Sequence, residues 1–220
     1  MTSSIRLALF GPPGAGKGTQ AQLLKEGLGL AHISTGDLFR SHLQQGTSLG
    51  TKAAEFMNQG LLVPDDLVIE MVMDKIVQVG RDSGFILDGF PRTREQAVAL
   101  DKVLEEKAIP LVSALLVDVP QDELVKRLGG RFLCRSCQAP YNLEPEQFES
   151  PPPCSRCGGE LFQREDDRPE AVQVRIGVYQ DQTAPVLDFY RENGLLKEIS
   201  GVGAIEEINA RALKALQLDT

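Results

Sequence analysis

Near the amino terminus, Gly11-Pro12-Pro13-Gly14-Ala15-Gly16-Lys17-Gly18-Thr19 combines four glycines and one lysine in nine residues, a pattern suited to phosphate. The glycines let successive backbone N–H groups turn toward one point, and a helix opening directly after them adds its partial positive charge. Leu7-Ala8-Leu9-Phe10 precedes the run as a buried strand would, and Ala21, Leu23 and Leu24 follow it as the apolar side of a helix. That setting distinguishes a phosphate loop from a chance glycine cluster. Lys17 would reach the β- and γ-phosphates. The strict pattern places Ser or Thr directly after the lysine, whereas Gly18 intervenes here before Thr19, so the usual magnesium-ligating hydroxyl is missing. The spacing predicts a nucleoside triphosphate site over Gly14, Ala15, Gly16, Lys17, Gly18 and Thr19; the plainer alternative is a glycine-rich turn with a solvated lysine.

Arginine placement extends the same chemistry. Arg92 follows Asp88-Gly89-Phe90-Pro91 at the end of the apolar run Phe85-Ile86-Leu87, and ligands bind at the carboxyl ends of strands in open α/β sheets. Arg127 and Arg131 flank Gly129-Gly130, Arg164 precedes Glu165-Asp166-Asp167, and Arg175 sits on the next predicted helix. Guanidinium groups hold phosphate oxygens through charge-assisted bonds that contribute about 1.5–3 kcal/mol each. Several acting together would neutralise a phosphoryl group during transfer. Any one of them alone reads more simply as a solvated surface residue; the set gains weight from lying at element ends.

Two cysteine pairs, Cys134-Arg135-Ser136-Cys137 and Cys154-Ser155-Arg156-Cys157, stand sixteen residues apart, with Gly158-Gly159 after the second. This spacing suits a closed tetrahedral thiolate site of the structural kind, with a short hairpin between the pairs. Such a site can supply about 10–16 kcal/mol of apparent binding energy to a segment too small for a core of its own. The alternatives are a redox pair, two disulfides, a nucleic-acid-binding ribbon or a catalytic metal. Respectively, these leave the second pair unexplained, need an oxidising compartment, face the acidic Glu144, Glu146 and Glu149, and lack an open coordination position. Zn2+ is the expected ion, although sulfur ligands also accept Co2+ or Fe2+.

The elements that must position these residues alternate short apolar runs with helical periodicities, the signature of a parallel sheet flanked by helices. Strands are predicted at 7–10, 85–87, within 111–119 and at 195–199, with a further short strand beside His32. Helices are predicted through Val68, Met71, Val72, Ile76 and Val79, with Asp65 and Asp66 favourably near the N-terminus, and through Ala97, Leu100, Val103 and Leu104. Another runs from about Pro169 to Tyr190, with Asp167 as its N-cap and Pro185 kinking or ending it, and a last one spans about 204–216. Residues 130–167 break the rhythm and read as a small insertion. His32 is expected to be packed or hydrogen-bonded and His42 to lie on a helix surface; neither is a catalyst.

The 220 residues suit one α/β domain, and 42% apolar with 25% charged residues excludes a disordered or fibrous chain. The net charge of −8 argues against broad nucleic-acid or anionic-membrane binding. The first apolar stretch stops at Gly11, too short for a signal peptide, and 109–119 is about half a membrane span. With only four cysteines, a reducing, cytoplasmic home is expected.

Read together, Gly11 to Thr19, Ile33-Ser34-Thr35-Gly36-Asp37-Leu38-Phe39-Arg40, Asp88-Gly89-Phe90-Pro91-Arg92-Thr93, Arg127 with Arg131, Arg164 to Asp167, and Arg175 run in order along almost the whole chain. In these segments the sequence resembles the adenylate kinases, in their long-lid form. The resemblance implies a P-loop nucleoside triphosphate hydrolase-like three-layer α/β fold with a five-stranded parallel sheet. Its core would cover 1–33, 64–129 and 168–220, with a monophosphate-binding insertion at 34–63 and a metal-binding lid at 130–167. It implies the reaction Mg·ATP + AMP ⇌ 2 ADP.

Carried over residue by residue, Thr35, Arg40, Leu61, Val63, Gly89, Arg92, Gln96, Arg164 and Arg175 would hold AMP, with Gln96 on the adenine. The phosphate loop would hold the phosphates of ATP and Arg127 would lie by its adenine. Lys17, Arg92, Arg131, Arg164 and Arg175 would act on the transferring group. Asp88 would order Mg2+ through water, which suits the missing hydroxyl after Lys17. The family has metal-bearing and metal-free lids, and Cys134, Cys137, Cys154 and Cys157 match the former. The implied partners are ATP, AMP and ADP, acting on a monomer. The rival readings are a UMP/CMP or GTP-dependent kinase, or a non-catalytic P-loop switch; the latter would carry an Asn-Lys-x-Asp segment, and no Asn-Lys pair occurs.

Overall fold

The computed structural model describes residues 5–80, 83–144, 148 and 150–218, so Glu146 and Glu149 of the acidic stretch lie outside the described residues. Strand β1 (Arg6–Phe10) leads through the glycine loop to α1 (Lys17–Leu28), followed by β2 (Ala31–Ser34), α2 (Thr35–Gln44), α3 (Ser48–Met57) and α4 (Asp65–Val79). Next come β3 (Phe85–Asp88), α5 (Arg94–Glu106), β4 (Ser113–Asp118) and α6 (Gln121–Gly129). Three short strands, β5 (Arg131–Cys134), β6 (Pro140–Asn142) and β7 (Leu161–Phe162), precede α7 (Pro169–Val178), α8 (Val186–Glu192), β8 (Leu196–Ser200) and α9 (Ile205–Ala215).

Strand alternation explains the layers. Every pairing in the five-stranded sheet β2-β3-β1-β4-β8 is parallel. Ala8, Phe10, Phe85, Leu87, Ala114 and Leu116 point to one face and pack with Val68, Val72 and Ile76 of α4 and Ala97, Leu100 and Leu104 of α5. Leu7, Leu9, Ile86, Leu115, Val117 and Ile199 point to the other, against Ala21 and Leu24 of α1 and Ile208 and Ala212 of α9. Both faces are buried, which is why these strands read as continuous apolar runs. Full burial of each such side chain contributes roughly 1.5–3 kcal/mol.

Register then places the chemistry. Leu9 pairs with Asp88, Asp88 with Ser34, and Phe10 with Leu116, so Gly11, Asp88 and Thr35 emerge together at one carboxyl edge. Thr93 caps α5 by accepting the Gln96 N–H at 3.2 Å, and Ser34 caps α2 by accepting that of Asp37 at 3.3 Å. At α1 the cap is Gly16, left-handed at φ 90° and without a side-chain acceptor, so the first N–H groups of that helix remain available to a ligand.

The segment between α6 and α7 is a separate antiparallel sheet, β6-β5-β7, with a small core of Phe132, Cys134, Ala139, Cys154 and Leu161. Two local expectations need correction here. Asp167 does not cap α7: the cap position belongs to Arg168, which makes no side-chain cap bond, and Pro169 opens the helix. Asp167 is instead 1% exposed and turned toward arginines, because pairing with two guanidinium groups outweighs one N–H bond at a helix end. The expected single helix from Pro169 to Tyr190 is also interrupted before its proline: a π turn occupies Tyr179–Thr183, and Pro185 heads α8. No helix among the described residues is long and apolar enough to cross a membrane.

Candidate active site: an arginine-lined cleft at the carboxyl edge

A cavity of about 50 Å³ opens where β1 and β3 end, lined by Lys17, Arg92 and Arg175 with Gly11, Pro13, Gly60, Leu62, Gly89, Pro91, Val178, Tyr179 and Thr183. Its floor is the glycine loop. Gly11 has no room for a side chain, since a Cβ would fall 2.5 Å from the Val117 carbonyl oxygen, and its φ of 145° is unfavourable for other residues. Lys17 Nζ donates to the carbonyls of Gly11 at 2.7 Å and Pro12 at 3.0 Å, which folds the side chain back over the loop. Desolvation there lowers its pKa to about 7; Asp88 works against the shift, while Arg92, Arg175 and Arg131 add to it. A cation under that pressure is a cation awaiting an anion.

Asp88 accepts from His32 Nε2 at 3.4 Å, so His32 is hydrogen-bonded as expected. Burial works against its negative charge, yet His32, Lys17 and Arg92 outweigh burial and hold the carboxyl below its ordinary range. Its Oδ2 lies 3.5 Å from the position a Cβ would take at Gly18, which brings a carboxylate to the start of α1 where the sequence offers no hydroxyl. An ionised oxygen ligand beside a phosphate loop fits Mg2+ chemistry.

Gly89 carries two anchors on one carbonyl: Thr35 Oγ1 donates to it at 2.9 Å and Arg92 Nε at 2.8 Å. A Cβ there would meet Arg92 Nη2 at 2.7 Å and Thr35 Oγ1 at 2.8 Å, at a φ of 78°, so only glycine keeps both side chains in place. Burial and the nearby Arg175 and Arg40 depress the Arg92 pKa.

Across the cleft, Arg131 donates through Nε (2.7 Å) and Nη2 to Asp167, and Arg175 Nη1 donates to Asp167 Oδ1 at 3.0 Å and to the Asp166 carbonyl at 2.7 Å. Arg164 is held at a pKa of about 10 by burial first and then by Arg40 and Arg131. Its Nε is buried and has no hydrogen-bond partner among the described residues. Arg40, on α2, pairs with Asp37 at 2.5 Å. One lysine and five arginines, from the start of α1, α2, the loop after β3, the segment between α6 and α7, and α7, thus feel one another's charge. Repulsion on that scale is relieved by a polyanion in their midst.

A profile described as adenylate kinase matches residues 9–195. Proteins named adenylate kinase are 50% identical in Carboxydothermus hydrogenoformans, over 97% of this chain and 100% of the relative, and 50% identical in Thermodesulfovibrio yellowstonii, over 93% and 95%. A third, from Symbiobacterium thermophilum, is 47% identical over 97% and 99%. The chain belongs to the adenylate kinase family.

Among the residues that the adenylate kinase resemblance singled out, the structure does not bring all to the cleft in the same way. Leu61 is exposed and Val63 buried, on either side of the lining residue Leu62. Arg127 is engaged elsewhere, with Glu123 at 2.9 Å and the Gly201 carbonyl at 3.1 Å. Gln96 is buried, with both ends of its amide bonded to protein: Oε1 to the Arg92 N–H and Nε2 to Asp65, each at 2.7 Å. Ala15 is buried, Gly18 exposed, and Gly14 packs on Leu128 of α6. The counter-charges Asp166 and Asp167, the lining residues Gly60, Tyr179 and Thr183, and Asp65 carried no assigned site role in the sequence. The acidic pair directly after Arg164 was the one local signal for any of them.

The four cysteines form a separate cluster typical of metal-bearing adenylate kinase lids as the resemblance describes them. Their sulfurs all lie within 4.8 Å of one another. Cys134 and Cys157 Sγ are 3.5 Å apart and Cys137 and Cys154 Sγ 3.6 Å, far beyond a disulfide bond of about 2.05 Å but near the ~3.8 Å edge of a tetrahedron with ~2.3 Å metal–sulfur bonds. Each pair sits on a turn closed by a left-handed residue, Gln138 at φ 56° and Gly158 at φ 72°. The Tyr141 hydroxyl, 3.1 Å from Cys154 Sγ, is the main cause of a Cys154 pKa near 6, so this position favours thiolate. The donor set fits a structural metal ion.

Proposed function

We propose that the protein is an ATP:AMP phosphotransferase that moves the terminal phosphoryl group of Mg·ATP to AMP, giving two ADP. The observation that carries the reading is the meeting of Lys17, Arg40, Arg92, Arg131, Arg164 and Arg175, drawn from five parts of the chain, around a glycine loop that opens α1. No strong base is needed, because the attacking phosphate of AMP is already ionised. Positioning and charge stabilisation suffice.

In this reading the loop N–H groups and Lys17 hold the ATP phosphates, Arg127 lies by the donor adenine, and Thr35, Arg40, Leu61, Val63, Gly89, Arg92 and Gln96 hold AMP. Arg131, Arg164 and Arg175 close on the group in transit. Mg2+, ordered through Asp88, supplies charge neutralisation on the phosphates. Residues 34–63 and 130–167 act as the two closing segments, because a site left open would pass the phosphoryl group to water. Zn2+ is the proposed occupant of Cys134, Cys137, Cys154 and Cys157, and a cytoplasmic monomer is the proposed form.

A coupled assay offering AMP, UMP, CMP or GMP with ATP, and AMP with GTP, tests this. Strong preference for AMP with ATP is expected. Comparable turnover of UMP or CMP would replace the acceptor assignment, and no transfer to any monophosphate would overturn the reading. Elemental analysis of protein purified without chelator should find one zinc per chain.

A further inference from the structure

The Gln96 amide is not free to choose its orientation. It is 2% exposed, its Oε1 accepts the Arg92 N–H at 2.7 Å, and its Nε2 donates to Asp65 Oδ1 at 2.7 Å. The other Asp65 oxygen accepts from Thr93 Oγ1 at 2.7 Å, and the same Thr93 oxygen accepts the Gln96 N–H at 3.2 Å. Chemistry settles which end of the amide is which. Turned over, it would set an NH2 against the Arg92 N–H and an oxygen against a carboxylate. An amide side chain has two N–H donors and two lone pairs, whereas an ionised carboxylate only accepts. One N–H and one lone pair therefore remain on Gln96, in a fixed order, on a side chain bonded to the cleft residue Arg92.

That order bears on which purine can be read. A 6-aminopurine presents an acceptor at N1 beside a donor at its exocyclic nitrogen. A 6-oxopurine presents the reverse, a donor at N1 beside an acceptor oxygen. A glutamine free to turn over would serve both edges, and one held by an acceptor-only partner serves one. We propose that Asp65 is a specificity-determining positioning residue: by fixing the Gln96 amide in one orientation together with the Arg92 N–H, it strengthens the acceptor site's preference for 6-aminopurine over 6-oxopurine monophosphates. The inference deepens the proposed function and rests on Gln96 being the base contact. Asp65 lies in the first turn of α4 and Thr93 caps α5, so the amide's orientation is tied to the docking of two helices.

The test is a competition between AMP and inosine monophosphate, with ATP as donor, in the wild type, Asp65→Asn, Asp65→Glu and Gln96→Ala. The ratio of kcat/KM values from one mixture does not depend on how much of a variant is folded, and a merely structural defect would lower both substrates alike. Asparagine can donate as well as accept, so Asp65→Asn removes one of the two restraints on the amide, the Arg92 N–H remaining, and should lower the AMP preference by about threefold or more. Asp65→Glu, still acceptor-only, should retain more of that preference than Asp65→Asn. A ratio in Asp65→Asn within twofold of wild type, alongside a collapsed ratio in Gln96→Ala, would overturn the role of Asp65 and leave the Gln96 contact standing. An unchanged ratio in Gln96→Ala would remove that contact and the proposal with it.

Discussion

The Arg131 guanidinium and the Asp167 carboxylate meet across 36 residues of chain, joined by two parallel N–H···O bonds. Arg131 opens β5 and Asp167 ends the turn before α7, so the pair clasps the two ends of the antiparallel segment. Because Arg175 also donates to Asp167, one buried carboxylate holds two arginines, of which Arg175 lines the cleft. It holds them without consuming all their donors. Asp167→Asn leaves both cations without their shared counter-charge. Breaking a buried pair costs about 3–5 kcal/mol, and Arg131 is partly solvated, so a loss of about 2 kcal/mol is expected. Urea titration should show a lower midpoint at unchanged slope, with kcat reduced as well. An unchanged midpoint would mean the pair is not a clasp.

Lys17 makes stability and ligand binding depend on pH in opposite senses. Its pKa falls from 10.5 in the unfolded chain to about 7 in the fold, so the folded state disfavours the ammonium. Between those values the unfolded chain binds more protons, and stability rises with pH. The penalty is fully present below about pH 7 and is gone above about 10.5. Lys17→Met should abolish ADP formation, raise stability near neutral pH and remove this slope, as thermal unfolding across pH 6.5–9.5 would show. Phosphates should draw the proton back. Near pH 8, ATP binding measured by calorimetry in buffers of different ionisation enthalpy should reveal proton uptake in the wild type that Lys17→Met lacks.

The contrast between Lys17 and Asp167 also marks how far the sequence could be read. The glycine loop, the parallel strands and the two Cys-x-x-Cys knuckles announce themselves because their chemistry is local: adjacent N–H groups, alternate faces, sulfurs three residues apart. Asp167 stands before Arg168-Pro169, where local rules favour an N-cap, and nothing nearby reveals a partner at Arg131. Asp65 likewise reads as a favourable helix-end charge, whereas its bonds run to Thr93 and Gln96, 28 and 31 residues on. The π turn before Pro185 has no signature of its own, since the proline already accounts for a break. Charge pairing at long range was invisible, and it is what orients the site.

The cysteine cluster should govern the endurance of the antiparallel segment more than its chemistry. Apart from the sulfurs, the small core there rests on Phe132, Ala139 and Leu161, with Tyr141 and Phe148 packed against it, too little apolar area to stand alone. None of the four cysteines lines the cleft. Cys154→Ser, or removal of metal by chelation, should therefore lower the melting midpoint by roughly 5 °C or more while turnover in the cold falls far less. Calorimetry paired with a low-temperature assay measures both. Equal losses of turnover and stability would place the cluster in the reaction itself.

Arg164 carries the clearest mark of an unfinished site. Its Nε is buried without a partner among the described residues, its charge is opposed by Arg40 and Arg131, and Asp166 and Asp167 only partly offset them. An unmade charge-assisted bond of this kind is costly in the free protein and is recovered when an oxyanion arrives. If that oxyanion belongs to the group in transit, the gain falls on the barrier and not on ground-state binding. Arg164→Lys keeps the charge but loses both the Nε donor and the planar fork, so kcat should fall about 100-fold, equivalent to ~3 kcal/mol, with KM values for ATP and AMP changed only a few-fold. Steady-state kinetics with both substrates varied separates the two effects. A rise confined to KM would assign Arg164 to holding substrate, and wild-type kinetics would mean that its buried Nε meets nothing in the reaction.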